Sequence, residues 1–383
     1  MPGSSLPPWA ALTPSEAAAL ARNEAVLDAR LAHGPLAFTD YMEWALYDRD
    51  CGYYARREVF GPHGDYVTAP LLSAHLACAL ARQWAPILAD HGGSIMEVGS
   101  GNGQLGLDTL KALARINRLP DRYWMIERSA RRREEAQARM ASEIPQWADR
   151  VSVVADWPDA QASIIVANEL LDALPAARFR MRGTAAHPLR VARDAAGALI
   201  FVEGPPDPDT SRALADLALA EGYESETLPL ARGFLKEASD HLAHGVIVLI
   251  DYGFPRAEFY HPERRHGTLM CHFRQQAHPD PLILPGLQDI TVDVDFTAIA
   301  RDAVALGLTL AGYTSQGAFL LALGIGEDMP ADARAALLDR QAIKRLTLPH
   351  EMGELFKVIA LGRGLKAPLQ GFRLLDRSRA LAL

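Results

Sequence analysis

Apolar residues in the first ninety positions recur at helical spacing. Thr13-Pro14-Ser15-Glu16 leads into an alanine- and leucine-rich run. A threonine cap, a proline in the first turn and a glutamate three residues after the cap mark a helix start. That helix should run to about Arg30, before His33-Gly34-Pro35. "FTDYMEWALYD" (38–48) predicts a second helix, with Thr39 or Asp40 as cap, and "LLSAHLACALARQWAPIL" (71–88) a third. The period then changes. The short apolar runs "SIMEV" (94–98), "RYWMIER" (122–128), "VSVVA" (151–155), "ASIIVAN" (162–168) and "VIVLIDYG" (246–253) predict strands. "GLDTLKALARI" (106–116), "ARRREEAQARMASEI" (130–144) and "LARGFLKEASDHLAHG" (230–245) predict helices between them. "LTLAGYTSQGAFLLALG" (308–324) and "GELFKVIALGRG" (353–364) read as two late strands, and 255–295 as loop rich in proline and histidine.

Strands alternating with helices imply an α/β fold with a parallel, doubly wound sheet. The expected organisation is an N-terminal helical region over 1–93 and a Rossmann-like domain over 94–383. Insertions are expected at about 176–235, where "ARFRMRG" and "HPLRVARDAAGALIFVEG" look like added strands, and at about 255–300.

Composition narrows the function classes. The 383 residues, 49% of them hydrophobic, suffice for one large core with additions or for two domains. A net charge of −8 disfavours non-specific binding to nucleic acid or an anionic membrane. Arg131, Arg132 and Arg133 sit among Glu134, Glu135 and Arg139, which reads as the solvated face of a helix. Cys51, Cys78 and Cys271 are far apart and form no C-x-x-C pair, which suits a reducing compartment and the cytoplasm. No apolar run approaches the ~18 residues of a membrane span, and the N-terminus lacks the charged-then-apolar design of a signal peptide. Apolar helices near both ends are candidates for packing in a homodimer.

The chemistry concentrates after the first strand, in "SIMEVGSGNGQLG". Gly101-x-Gly103-x-x-Gly106 fits the dinucleotide fingerprint and a nicotinamide-linked oxidoreductase. Glu97-x-Gly99-x-Gly101-x-Gly103 fits the loop of class I S-adenosylmethionine (SAM) enzymes. The first register would bury a carboxylate and a glycine inside the strand. The second ends the strand at Val98 and leaves Glu97 at its carboxyl end, where it could receive the ammonium of SAM. Open α/β sheets bind ligands at that edge. Glu127 ends the next strand, roughly 20 residues on, where an acid suits a ribose diol in either register. Asp156 follows the third strand, where it could accept from an adenine amino group while Trp157 stacks on the base; both acids could equally be helix caps. Asn168 and Glu169 follow the fourth strand, and Asp172 would share a face with Glu169 if a helical turn comes next. Two carboxylates there could hold a guanidinium and take its proton; the plainer reading makes Asn168 and Asp172 caps. Tyr54, Asp65 and Thr68 lie near Gly61 and Gly64 in an aromatic loop that could close as a lid. Asp251-Tyr252-Gly253 ends the fifth strand. His261, His266, Cys271, His272 and His278 invite a zinc reading, but their spacing matches structural sites poorly, so no metal is expected.

"LYDRDCGYYA", "GDYVTAP", "EVGSGNGQL", "ANELLDALPAARF", "LIDYGF", "TSQGAFLLALGI" and "LPHEMGELFKVIALGRG" together resemble the MidA-like methyltransferases over roughly 34–365. That family of bacterial and mitochondrial proteins is related to the mitochondrial complex I assembly arginine methyltransferase. The resemblance implies a class I fold, SAM as methyl donor and a protein arginine, possibly on a respiratory complex I subunit, as acceptor. A non-catalytic assembly factor that keeps the fold is the alternative. Leu71 replaces the glutamate that usually follows "TAP", and Leu170 and Leu171 replace two phenylalanines. Both departures touch the expected substrate side.

Overall fold

The periodicity that predicts the strands reappears in a computed structural model, which describes residues 7–55, 69–327 and 332–383. The chain divides into two units. The first comprises Thr68–Leu170, Ala231–Arg256 and Asp295–Leu383, and the second Met1–Val67, Leu171–Leu230 and Ala257–Val294. The boundary expected at residue 93 is not where the chain divides, since the helix His75–His91 belongs to the first unit.

The first unit is built on strands β1 (Ile95–Val98), β2 (Tyr123–Ile126), β3 (Val151–Val154), β4 (Ala162–Asn168), β5 (Leu242–Phe254), β6 (Thr309–Ser315) and β7 (Phe356–Arg363). Their order across the sheet is β3-β2-β1-β4-β5-β7-β6. Neighbours from β3 to β5 run parallel, whereas β7 runs antiparallel to both β5 and β6. This is the class I fold, in which the order reverses between β1 and β4. A crevice opens there because the connections leave the two carboxyl ends in opposite directions. β4 and β5 are buried along most of their length, so they read as continuous apolar runs. The helix Gln104–Arg115 covers the sheet through Leu105, Leu107, Leu110 and Leu113, and Trp84, Tyr123, Ile164, Val248 and Phe356 belong to the same core. The run 308–324 is strand only as far as Ser315; Gln316–Ala322 is helix. A short apolar run does not tell the two apart by periodicity.

The second unit draws its two longest helices from the N-terminal part. Pro14–Leu31 starts with the expected capping box between Thr13 and Glu16. Phe38–Tyr47 starts one residue before Thr39 and has no side-chain cap. Leu27, Phe38, Tyr41 and Trp44 share a core with Val191 and Ile290. One sheet has the order Leu36–Ala37, Ala185–Arg193, Ala177–Arg182 and Glu224–Thr227, with Leu199–Glu203 also paired to Ala185–Arg193. Arg178 Nε lies 3.0 Å from Glu226, and Arg180 and Arg182 pair with Glu203. The stretch 255–295 is not all loop: Met270–Phe273 pairs with Gln276–His278 and with Asp289–Thr291. Arg274 and Gln275 form the hairpin turn with φ of 49° and 62°. That conformation is usually signalled by Asn-Gly, so the turn left no mark in the residue types.

Candidate active site

The glycine loop distinguishes the two registers by backbone geometry. β1 ends at Val98, and Gly99, Gly101 and Gly103 have φ of 74°, 54° and 78°. L-residues other than glycine rarely adopt that region. Gly106 is helical and serves packing instead: a Cβ there would lie 2.7 Å from Glu97 Oε2 and 2.9 Å from Tyr123 Cε1. The left-handed glycines are therefore those of the register beginning at Glu97.

Glu97 itself departs from expectation. It is 3% exposed, and its Oε2 accepts a 2.8 Å hydrogen bond from the Tyr123 hydroxyl. Burial pushes its carboxyl up to about 8, with the Tyr123 hydrogen bond opposing and Glu127 adding to the rise. A buried acid that favours its neutral form is a poor receiver for an ammonium. In this structure Glu97 packs beneath the loop, against Tyr123 and the first turn of the helix Gln104–Arg115.

Glu127 does stand at the loop. Its Oε2 accepts from the Gly101 amide at 2.9 Å and its Oε1 from the Ser129 amide at 2.8 Å. Burial raises its pKa, and these two amides oppose the shift. Each carboxylate oxygen has a second lone pair for a ribose hydroxyl. Arg133 fastens the turn from outside, donating to the carbonyls of Glu127 and Arg128 at 2.8 and 2.7 Å. Asp156 is exposed just after β3. Trp157 stacks on His241, centroids 4.8 Å apart, and His241 immediately precedes β5. Leu242, the first residue of β5, pairs with Ala162, the first of β4. The Trp157 ring thus lies toward the amino edge of the sheet, away from the ligand edge. Residues 155–161 hold no helix, and so short a link from β3 to β4 must turn back at once.

The edge after β4 is the most constrained part. Val98 pairs with Ala167, which sets Asn168 level with Gly99. A Cβ on Gly99 would meet Leu170 Cδ1 at 2.9 Å. Glu169 has φ of 54°, a left-handed conformation in a residue with a long side chain. Its amide donates to Ile250 O at 2.9 Å, and its Oε1 accepts from Asn168 Nδ2 at 2.9 Å and from the Ala69 amide at 3.2 Å. Asp251, 1% exposed, accepts from the amides of Leu170 and Tyr252 at 3.1 and 2.9 Å. The helical turn expected to place Glu169 and Asp172 on one face is absent: residues 171–174 form a turn, and Asp172 is buried in the second unit.

In the second unit the Tyr54 hydroxyl donates to Asp289 Oδ1 at 3.0 Å, and its ring lies 5.3 Å from Tyr47. Thr68, Gly61, Gly64 and Asp65, expected in a lid, lie outside the described residues. Among the described residues no group of three or more His, Cys, Asp or Glu is arranged to hold a metal ion. Sequence reasoning missed the anchoring role of Asp251 and the strain at Glu169. An acid closing an apolar run, as in "VIVLIDYG", is the only signal for the first; the second has none.

The residues fit a polar, nucleotide-like cofactor. Ser100 Oγ and Asn168 Oδ1 are buried beside the loop and have no hydrogen-bond partner among the described residues. Buried polar atoms in that condition are uncommon and call for a partner from outside.

Comparison with known proteins bears on the cofactor. A family model described as "Putative S-adenosyl-L-methionine-dependent methyltransferase" matches residues 75–314. The mouse mitochondrial protein arginine methyltransferase NDUFAF7 is 27% identical, over 86% of this chain and 81% of its own length. The Drosophila melanogaster homolog is 25% identical, over 89% and 86%. A COG1565 superfamily member from Burkholderia thailandensis, crystallised with S-adenosyl-homocysteine (SAH), is 38% identical. It covers 98% of this chain and 100% of its own, with a TM-score of 0.91.

Proposed function

The chain belongs to the S-adenosyl-L-methionine-dependent methyltransferases, with SAM as cofactor, and on that premise we propose that it methylates an arginine side chain of a protein. The observation that carries the reading is Glu169, an acid held in a strained backbone at the ligand edge, level with the glycine loop. The relatives named as protein arginine methyltransferases support the acceptor class. A respiratory complex I subunit is the protein we expect to carry that arginine, and the cytoplasm the compartment. Homodimer formation remains part of the reading.

When bound, SAM supplies an electrophilic methyl on a sulfonium. The roles we assign to the chain are positional, because an in-line transfer needs placement above all. The backbone at Gly99, Gly101 and Gly103 admits a close approach, Glu127 takes the ribose hydroxyls, and Asn168 and Ser100 offer their unused oxygens. Asp156 stays a candidate for the adenine amino group, and Tyr54 and Thr68 for the lid. An arginine guanidinium is charged at ordinary pH, so the acceptor nitrogen must lose a proton. We assign to Glu169 the tasks of orienting the guanidinium and accepting that proton; Asp172, buried in the second unit, is tested separately by substitution.

The experiment incubates the purified protein with methyl-labelled SAM and a cell extract, and reads methylarginine by mass spectrometry. Label in arginine of a discrete protein supports the proposal. Saturable SAM binding with no transfer to any protein favours the non-catalytic assembly factor. Binding of NAD in place of SAM would return the oxidoreductase reading.

A further inference from the structure

Glu97 directly precedes the glycine loop, yet the assigned roles do not use it. Its carboxyl lies between two elements. On one side is Tyr123 of β2, fully buried, whose hydroxyl donates to Glu97 Oε2 at 2.8 Å. On the other is the first turn of the helix Gln104–Arg115, where Gly106 comes so close that an added Cβ would sit 2.7 Å from the same oxygen. The groups acting on Glu97 are Tyr123 from β2 and Glu127 from the turn after it. The helix contributes Gly106, with Thr109 acting on Tyr123, and β4 contributes Val166, which pairs with Glu97. None of these is a cation. A carboxylate in such a place is disfavoured by lost hydration and by a neighbouring acid.

We propose that Glu97 is a positioning residue: as a neutral carboxylic acid it fills the gap under the first helical turn, holds the glycine loop in its SAM-binding shape, and makes no ion pair with the donor's ammonium. The inference rests on the methyl-donor reading of the loop. Charging Glu97 places an unpaired anion under the loop, so donor affinity should fall as pH rises through about 8, the value to which burial pushes this group. The sign is that of a group whose folded pKa is raised. For binding, the two states compared are the free and the bound protein, so affinity is level while Glu97 is neutral and falls once the pH passes its value in the free protein.

The test is calorimetric titration with SAH, about one pH unit below and about one unit above that value, on wild type, Glu97→Gln and Tyr123→Phe. Wild type should bind at least ~5-fold more weakly at the higher pH. Glu97→Gln, neutral at both, should bind within ~3-fold of wild type at the lower pH and change by less than ~2-fold between them. The same variant corrects for titration of the ligand's own amine. Tyr123→Phe removes the hydrogen bond that opposes the rise, so its fall in affinity should move to higher pH. A folded Glu97→Gln that loses more than ~10-fold at the lower pH overturns the proposal, since an ionised carboxylate would then be holding the ammonium. If Glu97→Gln does not fold, an unmoved profile in Tyr123→Phe overturns it as well. Wild type failing to bind SAH at either pH would instead remove the methyl-donor reading, and this inference with it.

Discussion

Glu169 adopts a backbone conformation in which glycine would be relaxed. A non-glycine residue held there costs of order 1–3 kcal/mol, and the chain keeps it against that cost. Glu169→Gly relieves the strain but removes the bonds to Asn168 and Ala69, each worth about 0.5–1.5 kcal/mol. Stability in urea should therefore change by no more than ~1 kcal/mol while methyl transfer is lost. Glu169→Gln keeps the size and removes the base; transfer should fall roughly 100-fold with SAH affinity nearly intact. Equal loss of affinity and transfer would make Glu169 a donor contact and not an acceptor contact. At Gly101 the difficulty is the φ of 54° rather than space, since an added Cβ meets nothing within 4 Å. A β-branched residue is a poor fit to that conformation. Gly101→Val should draw its amide away from Glu127 and abolish SAH binding in calorimetry while the protein still melts cooperatively.

At the scale of elements, the carboxyl ends of β4 and β5 are tied by Asp251, which receives the amides of Leu170 and Tyr252. Buried amides left without an acceptor cost about 1–3 kcal/mol. Asp251→Ala should destabilise by that order in thermal melting and weaken SAH binding too, because Leu170 lies against Gly99. The helix Pro14–Leu31 offers a contrast. Its capping box satisfies amides at an exposed end, so Thr13→Ala should cost about 1 kcal/mol in unfolding and leave SAH affinity unchanged.

At the scale of the molecule, carboxyl groups fall into two sets. Burial raises Glu97, Glu127 and Glu226. Pairing with Arg182 and Arg180 lowers Glu203 to about 2, and Glu221 is lowered by the Gly183 amide and Arg182. For the lowered groups the stabilising contribution is present above the ordinary carboxyl value and lost as pH falls through about 2. For the raised groups it is present in acid and lost as pH rises, in the case of Glu97 through about 8. The melting temperature should therefore peak in mildly acidic solution. The lowered groups are exposed and screened, so their side of the profile should be shallow. Glu97→Gln should flatten the alkaline side, and a wild-type profile rising from about pH 5 to about pH 8 would contradict the assignment.

What the sequence determined by itself was the strand and helix alternation, the end of β1 at Val98, the glycine loop that follows it and the acids after β2 and β4. These are local matters: apolar periodicity sets an element, and a run of glycines marks where the backbone must turn left-handed. Tertiary structure alone decided the rest. Glu97 and Glu127 each follow a strand's apolar residues, yet one is packed under Gly106 and the other clasps Gly101. Trp157 went to His241 because the link to β4 is short. Three separated stretches of chain combined into the second unit. Burial, strain and strand order depend on which distant residues arrive beside a position, and a one-dimensional pattern carries no record of that.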